Sequence, residues 1–240
     1  MPNPALILFD VDATLISTSR SGIRAMRLAA NDLFGPVVDI DQVEFAGKLD
    51  PLIIADILTL GGLDATTAEI ASFHARYRAH LAAILKDPST EAIALPGVLN
   101  LLNALQTHPH ITPALLTGNY ADTGTLKLHA CGIDPSRFPI AVWADASTST
   151  PPTRDDLPGV GLAKWRKHAG NHAQARHAIV IGDTPHDIRC AKVHGCRCIA
   201  VATGPYEIDQ LTPYSPDLAV EDLSDTAAVL QAIQTWTGPH

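Results

Sequence analysis

Asp10 and Asp12 stand one residue apart at the end of an unbroken apolar run, residues 5–9. Two adjacent carboxylates repel unless something neutralises them, and a hard cation with oxygen ligands does so. Two later apolar runs end in the same kind of chemistry. Residues 111–116 lead into Thr117-Gly118-Asn119, and residues 178–181 lead into Gly182-Asp183, with Asp187 close behind. Any one of these polar residues could merely cap a helix. Together they offer acids and a hydroxyl from three separate segments. Mg²⁺ takes one or two carboxylates and completes its shell with water and substrate phosphate. The residues alone therefore point to a Mg²⁺ site that handles phosphate, with Asp183 as the third ligand.

To bring these residues together, the segments that precede them must lie side by side. Short continuous apolar runs read as strands buried on both faces of a parallel sheet. Residues 198–202 form another, and residues 139–143 and 218–220 are weaker candidates. Helical patterns lie between them. Val98, Leu101, Leu102 and Leu105 follow Pro96-Gly97; a second pattern ends at Gly132, a third at Gly195, and residues 227–233 form a last one. Alternation of strand and helix predicts an α/β fold, in which ligands bind beyond the carboxyl ends of the strands. Residues 16–93 break the alternation and read as consecutive helices. Ile23, Met26, Ala30 and Leu33 line one face, and Ile70, Phe73, Tyr77, Leu81 and Ile84 line another. Between them, Asp50-Pro51 reads as an N-cap acid followed by proline in the first turn. The prediction is a Rossmann-like parallel-sheet core, residues 1–15 and 95–240, with an inserted all-helical unit, residues 16–94.

Composition narrows the class. Of 240 residues, 46% are hydrophobic and 18% charged, which excludes a disordered chain. No apolar run approaches the ~18–20 residues of a membrane span. A net charge of −8, from 17 basic and 25 acidic residues, with 5% aromatics, argues against a nucleic-acid binder. Met1-Pro2-Asn3-Pro4 lacks the basic start of a secretory signal, so the expected location is cytoplasmic. Cys131, Cys190, Cys196 and Cys198 are then expected as buried thiols. The pair Cys196-Arg197-Cys198 lacks the spacing of a zinc site, and the scattered histidines contain no HExxH pair.

In order and combination these motifs resemble the haloacid dehalogenase superfamily, in its phosphoglycolate phosphatase-like branch with a helical cap after the first strand. The resemblance rests on Asp10-Val11-Asp12-Ala13-Thr14-Leu15, on Leu115-Leu116-Thr117-Gly118-Asn119 and on Gly182-Asp183-Thr184-Pro185-His186-Asp187. It implies that Asp10 is the nucleophile, forming an aspartyl-phosphate. It implies that Asp12 protonates the leaving oxygen and then activates water. Mg²⁺ would lie between the Asp10 carboxylate, the Asp12 backbone carbonyl and Asp183, with Asp187 supporting the shell through water. Thr117 would hydrogen-bond the phosphoryl group, with Gly118 N–H or Asn119 beside it. Residues 16–94 would be the cap.

Two positions depart from the family pattern. Ala13 stands where the branch usually has glycine. The third motif, usually a lysine followed by proline, has no Lys-Pro to match. Arg154 lies about where that lysine falls, and a subset of similar proteins carries arginine there. Lys127 competes, but two turns along a helix at ~1.5 Å per residue its reach reads as poor, which favours Arg154. On the cap side, Lys48 in Gly47-Lys48-Leu49-Asp50 is the candidate for a substrate carboxylate or second phosphate. Arg20 and Arg24 are expected on one helix face at the entrance. The leading expectation is a Mg²⁺-dependent phosphatase for a small phosphorylated metabolite, phosphoglycolate or a sugar phosphate, acting as a monomer or homodimer. The alternatives are a phosphonoacetaldehyde hydrolase, using Lys48 as Schiff base, a phosphomutase, or a non-catalytic phosphate-binding or partner-binding protein. A 2-haloacid dehalogenase is disfavoured, because its pattern lacks the second aspartate.

Overall fold

The computed structural model describes residues 3–169 and 173–238. Met1 and Pro2, part of the N-terminal stretch read above, lie outside the described residues. Strand β1 (Ala5–Phe9) is apolar throughout and fully buried, as a central parallel strand must be. It pairs in parallel with β4 (Ile111–Leu116) on one side and β6 (Ala178–Gly182) on the other. β5 (Ile140–Val142) extends the sheet beyond β4. β7 (Arg197–Val201) and β8 (Leu218–Val220) extend it beyond β6, giving the order β5-β4-β1-β6-β7-β8. Both weaker strand candidates therefore form, as short strands at the two edges.

Strand alternation divides the core into two layers. Ile7 and Phe9 face one layer with α4 (Val98–Gln106), α5 (Ala121–Ala130) and the helix Thr226–Thr237. Leu6 and Leu8 face the other with α6 (Leu157–Ala169) and α7 (Pro185–Val193), whose centre is the fully buried Trp165. Phe9 is in register with Leu115 and Ile181. Asp10, Thr117 and Asp183, one or two residues further on, consequently emerge at one edge of the sheet.

Helices α1 (Ser21–Phe34), α2 (Asp50–Leu60) and α3 (Thr67–Lys86) pack around a separate apolar cluster that includes Met26, Ile54, Phe73, Tyr77 and Leu81. The chain leaves the sheet through β2 (Ile16–Ser17) and returns through β3 (Ile93–Ala94). These pair as an antiparallel ribbon, so both passages run side by side. One local expectation is corrected. Leu49, not Asp50, is the N-cap of α2, and Asp50 is its first residue. The Asp50 carboxylate turns to α5 instead, accepting from the Tyr120 backbone N–H at 3.2 Å. That end has no side-chain cap of its own, so the acid satisfies an otherwise orphan donor of another helix. Among the described residues no helix is long and apolar enough to cross a membrane.

Candidate active site

Asp10 leaves the end of β1 and is almost fully buried. Arg154 opens a short 3-10 turn, Arg154–Asp156, that runs into α6. Its Nη2 lies 3.1 Å from Asp10 Oδ1 and 2.5 Å from Asp187 Oδ1. The other Asp187 oxygen accepts from the Thr184 N–H at 3.1 Å and the Thr184 hydroxyl at 2.6 Å, closing a capping box at the start of α7. Asp183 follows β6, and its Oδ1 accepts from the Thr14 hydroxyl at 3.1 Å. A Cβ at Gly204 would lie 1.8 Å from Asp183 Oδ2, so this carboxylate occupies space that only a glycine there leaves open.

Carboxylate oxygens of Asp10, Asp183 and Asp187 lie within 4.8 Å of one another, all buried. Burial raises the Asp10 carboxyl to about 6, Arg154 lowering it and the Asp187 charge raising it further. Burial, with the charges of Asp10 and Asp187, pushes Asp183 well above the usual carboxylate range. Buried, mutually repelling carboxylates with no sulfur or imidazole among them fit a hard divalent cation. Asp10 and Asp183 line the central cavity, whereas both Asp187 oxygens are held by Thr184 and Arg154.

A second polar chain runs along the neighbouring strand end. Thr117 is fully buried after β4. Asn119 Nδ2 donates to Thr117 Oγ1 at 2.9 Å and to Asp12 Oδ2 at 2.7 Å. Lys127, on α5, donates to the same Asp12 oxygen at 2.7 Å and to Asn119 Oδ1 at 2.6 Å. The Lys127 side chain is 6% exposed and the Asp12 side chain 45%. Burial alone would lower the Lys127 ammonium, but Asp12, Tyr77 and Asp50 hold it above its ordinary range, so it is a fixed cation. The poor reach expected of Lys127 is thus corrected. Helical side chains lean toward the helix N-terminus, and an extended lysine spans the turns back to the strand end.

Ala13 adopts φ 57, a left-handed conformation that explains why glycine is the expected residue there. Its carbonyl accepts from the Thr203 hydroxyl at 2.5 Å, which helps hold the turn.

The helical unit closes the other side of a cavity of about 650 Å³. Lys48 lines it while pairing with Asp56. The Gly118 carbonyl accepts from the Asp50 N–H at 2.7 Å, and a Cβ on Gly118 would lie 2.3 Å from the Lys48 carbonyl oxygen. Arg20 also lines the cavity, but it stands at the left-handed N-cap of α1 (φ 61), outside the helix on which Arg24 lies. The expectation of one shared helix face is corrected accordingly. The sequence assigns Asp50 only a helix-capping role. Its buried carboxyl, raised to about 6 by burial against the opposing effect of Lys127, lies where the helical unit meets α5. Its position beside proline reads as an ordinary cap, and only the fold reveals which helix it serves.

Comparison with known proteins agrees with this geometry. Residues 7–201 match the profile of the haloacid dehalogenase-like hydrolases. The chain is 28% identical over 231 residues to the probable phosphatase IndB of Dickeya dadantii, across 95% of this chain and 94% of that protein. It is 25% identical over 206 residues to the phosphoglycolate phosphatase of Rhodospirillum rubrum, across 84% of this chain and 80% of that one. Among solved structures, CbbY from Rhodobacter sphaeroides in complex with phosphate superposes with a TM-score of 0.71 at 20% identity, covering 92% of this chain and 96% of that one. A hydrolase from Pseudomonas syringae gives 0.69 at 21% identity, covering 96% and 99%. These two likenesses concern the fold.

Proposed function

The chain belongs to the haloacid dehalogenase-like hydrolases, and from that premise we propose that it is a Mg²⁺-dependent phosphatase acting on a small phosphomonoester. The observation that carries the reading is the convergence of Asp10, Asp12, Thr117, Arg154 and Asp183 on one cavity at the carboxyl edge of the sheet. The Asp10 and Asp183 carboxylates and the Asp12 backbone carbonyl would hold Mg²⁺, with Asp187 behind them. When bound, the cation offsets the repulsion between an anionic nucleophile and an anionic phosphate.

An Asp10 oxygen attacks phosphorus as the bond to the leaving oxygen breaks. Asp12 gives its proton to that leaving oxygen. Water then attacks phosphorus, Asp12 takes its proton, and the bond from Asp10 to phosphorus breaks to release inorganic phosphate. Thr117 and the Gly118 N–H are the donors for the phosphoryl oxygens. Arg154 holds the Asp10 carboxylate in place and supplies a fixed positive charge beside it.

The cavity of about 650 Å³, open on one side and with Lys48 in its lining, supports a small substrate with a second anionic group, of the phosphoglycolate or sugar-phosphate type. A cytoplasmic site of action accords with the four free, buried cysteine thiols. The test is a panel of phosphomonoesters assayed with and without Mg²⁺. Metal-dependent turnover is expected, strongest for small substrates that carry a second anionic group. Lys48→Ala is expected to raise KM for the preferred substrate more than for p-nitrophenyl phosphate. No turnover of any phosphoester would overturn the reading.

A further inference from the structure

The Asp12 carboxylate is gripped asymmetrically. Both of its hydrogen bonds, from Lys127 Nζ and Asn119 Nδ2 at 2.7 Å each, fall on Oδ2. Nearly half the side chain remains exposed to the cavity, while the lysine that holds it is shut away. Asn119 has one possible orientation, because its carbonyl accepts from Lys127 while its amide donates to both Asp12 and Thr117. Gly22 of helix α1 also lies against the ammonium. A Cβ on Gly22 would lie 3.2 Å from Lys127 Nζ and 3.4 Å from its Cε. A glycine at the second position of that helix, where alanine would be the better helix former, leaves the lysine tip the room that a Cβ would crowd.

We propose that Lys127, acting with Asn119, is a positioning residue for Asp12: it fixes one carboxylate oxygen so that the other faces the leaving group and, later, the attacking water. Arg154 serves the nucleophile and Lys127 the proton-transfer residue, so the two cations divide the work. The proposal rests on the phosphatase reading above.

A residue that positions a proton donor has a kinetic signature that a structural residue lacks. Alkoxide leaving groups need the proton, whereas 2,4-dinitrophenolate leaves without one. For both ester types, kcat/KM reports phosphoryl transfer to Asp10 and kcat includes the later attack of water. The experiment compares Lys127→Met and Gly22→Val with the wild type on an alkyl phosphate and on 2,4-dinitrophenyl phosphate, with Mg²⁺ present and folding checked by circular dichroism. General acid–base catalysis contributes ~10²–10⁴-fold, so misplacing Asp12 is expected to lower kcat/KM for the alkyl ester by roughly 30-fold or more. For the dinitrophenyl ester kcat/KM is expected to fall by less than about threefold, because transfer to Asp10 does not need the proton. Its kcat and KM fall together, and a burst of dinitrophenol stoichiometric with enzyme appears, because only the water step is slowed.

Gly22→Val displaces the ammonium without removing charge, so it decides the matter should Lys127→Met fail to fold. An equal loss of kcat/KM on both esters, a change in KM alone, or wild-type kinetics would overturn the assignment. A wild type inactive on both esters and on every member of the phosphomonoester panel would instead overturn the phosphatase reading on which the assignment rests.

Discussion

At Arg154 one guanidinium answers two buried carboxylates, Asp10 and Asp187, from the start of a helical turn. Both contacts come from the single nitrogen Nη2, and a guanidinium keeps its charge when buried, whereas a buried lysine gives up its proton more readily. Removing one partner of a buried ion pair leaves uncompensated charge, at a cost of ~3–5 kcal/mol. Arg154→Ala is therefore expected to lower stability to urea by about that amount at neutral pH, and to remove most turnover. Arg154→Lys is expected to recover part of the stability and less of the activity. Unchanged stability in Arg154→Ala would show that Asp10 and Asp187 tolerate each other without the arginine. At this scale Asp10, Asp12, Thr117 and Asp183 were legible as candidates because they follow apolar strands, whereas Arg154, which opens a 3-10 turn away from any strand end, was legible only through the family resemblance. Lys127 was legible as a residue but not as a contact. Spacing along a helix gives the distance between backbones and omits the length and tilt of the side chain.

Among the elements, α5 is held at its N-terminus by Asp50, an acid donated from α2. Burial raises the Asp50 carboxyl from 3.8 to about 6, with Lys127 opposing the shift. A raised carboxyl pKa means that the fold favours the protonated form. The stability this contributes is fully present below the unfolded value and is lost as pH rises through about 6. Asp50→Asn removes that titration but keeps an acceptor for the Tyr120 N–H. The wild type is thus expected to gain on the variant as pH falls from about 7.5 to about 4, by on the order of 3 kcal/mol in paired urea melts. A difference independent of pH, or one of opposite sign, would refute the assignment. The sequence marked Asp50-Pro51 as a helix start and came within one residue of it. Periodicity fixes where a helix lies, but the partner of a side chain at its end belongs to the tertiary structure.

Across the whole molecule, the sheet and the helical unit meet at the Thr117-Gly118-Asn119 turn. The Gly118 carbonyl accepts from the Asp50 N–H, and the Lys48 backbone comes too close to admit a Cβ on Gly118. Gly118→Ala must then push the loop that carries Lys48 away from the turn that carries Thr117. Its expected effects are a lower melting temperature and a loss in kcat/KM of roughly tenfold or more, since small misplacements in an active site cost up to ~10²-fold. An alanine variant with wild-type kinetics would mean that this contact has no part in shaping the site. Much of the architecture was legible because a buried parallel sheet leaves continuous apolar runs at strand spacing, and because the apolar residues of 16–93 recur instead at helical spacing. The closeness of the two units was not, since it depends on backbone contacts at Gly118 that leave no periodic signal.

The most direct measurement is release of p-nitrophenol from p-nitrophenyl phosphate with and without Mg²⁺, comparing the wild type with Asp10→Asn. Metal-dependent release by the wild type that vanishes in a folded Asp10→Asn variant is the expected result. Release that persists in Asp10→Asn, or that is indifferent to the metal, would contradict an aspartate nucleophile served by a divalent cation.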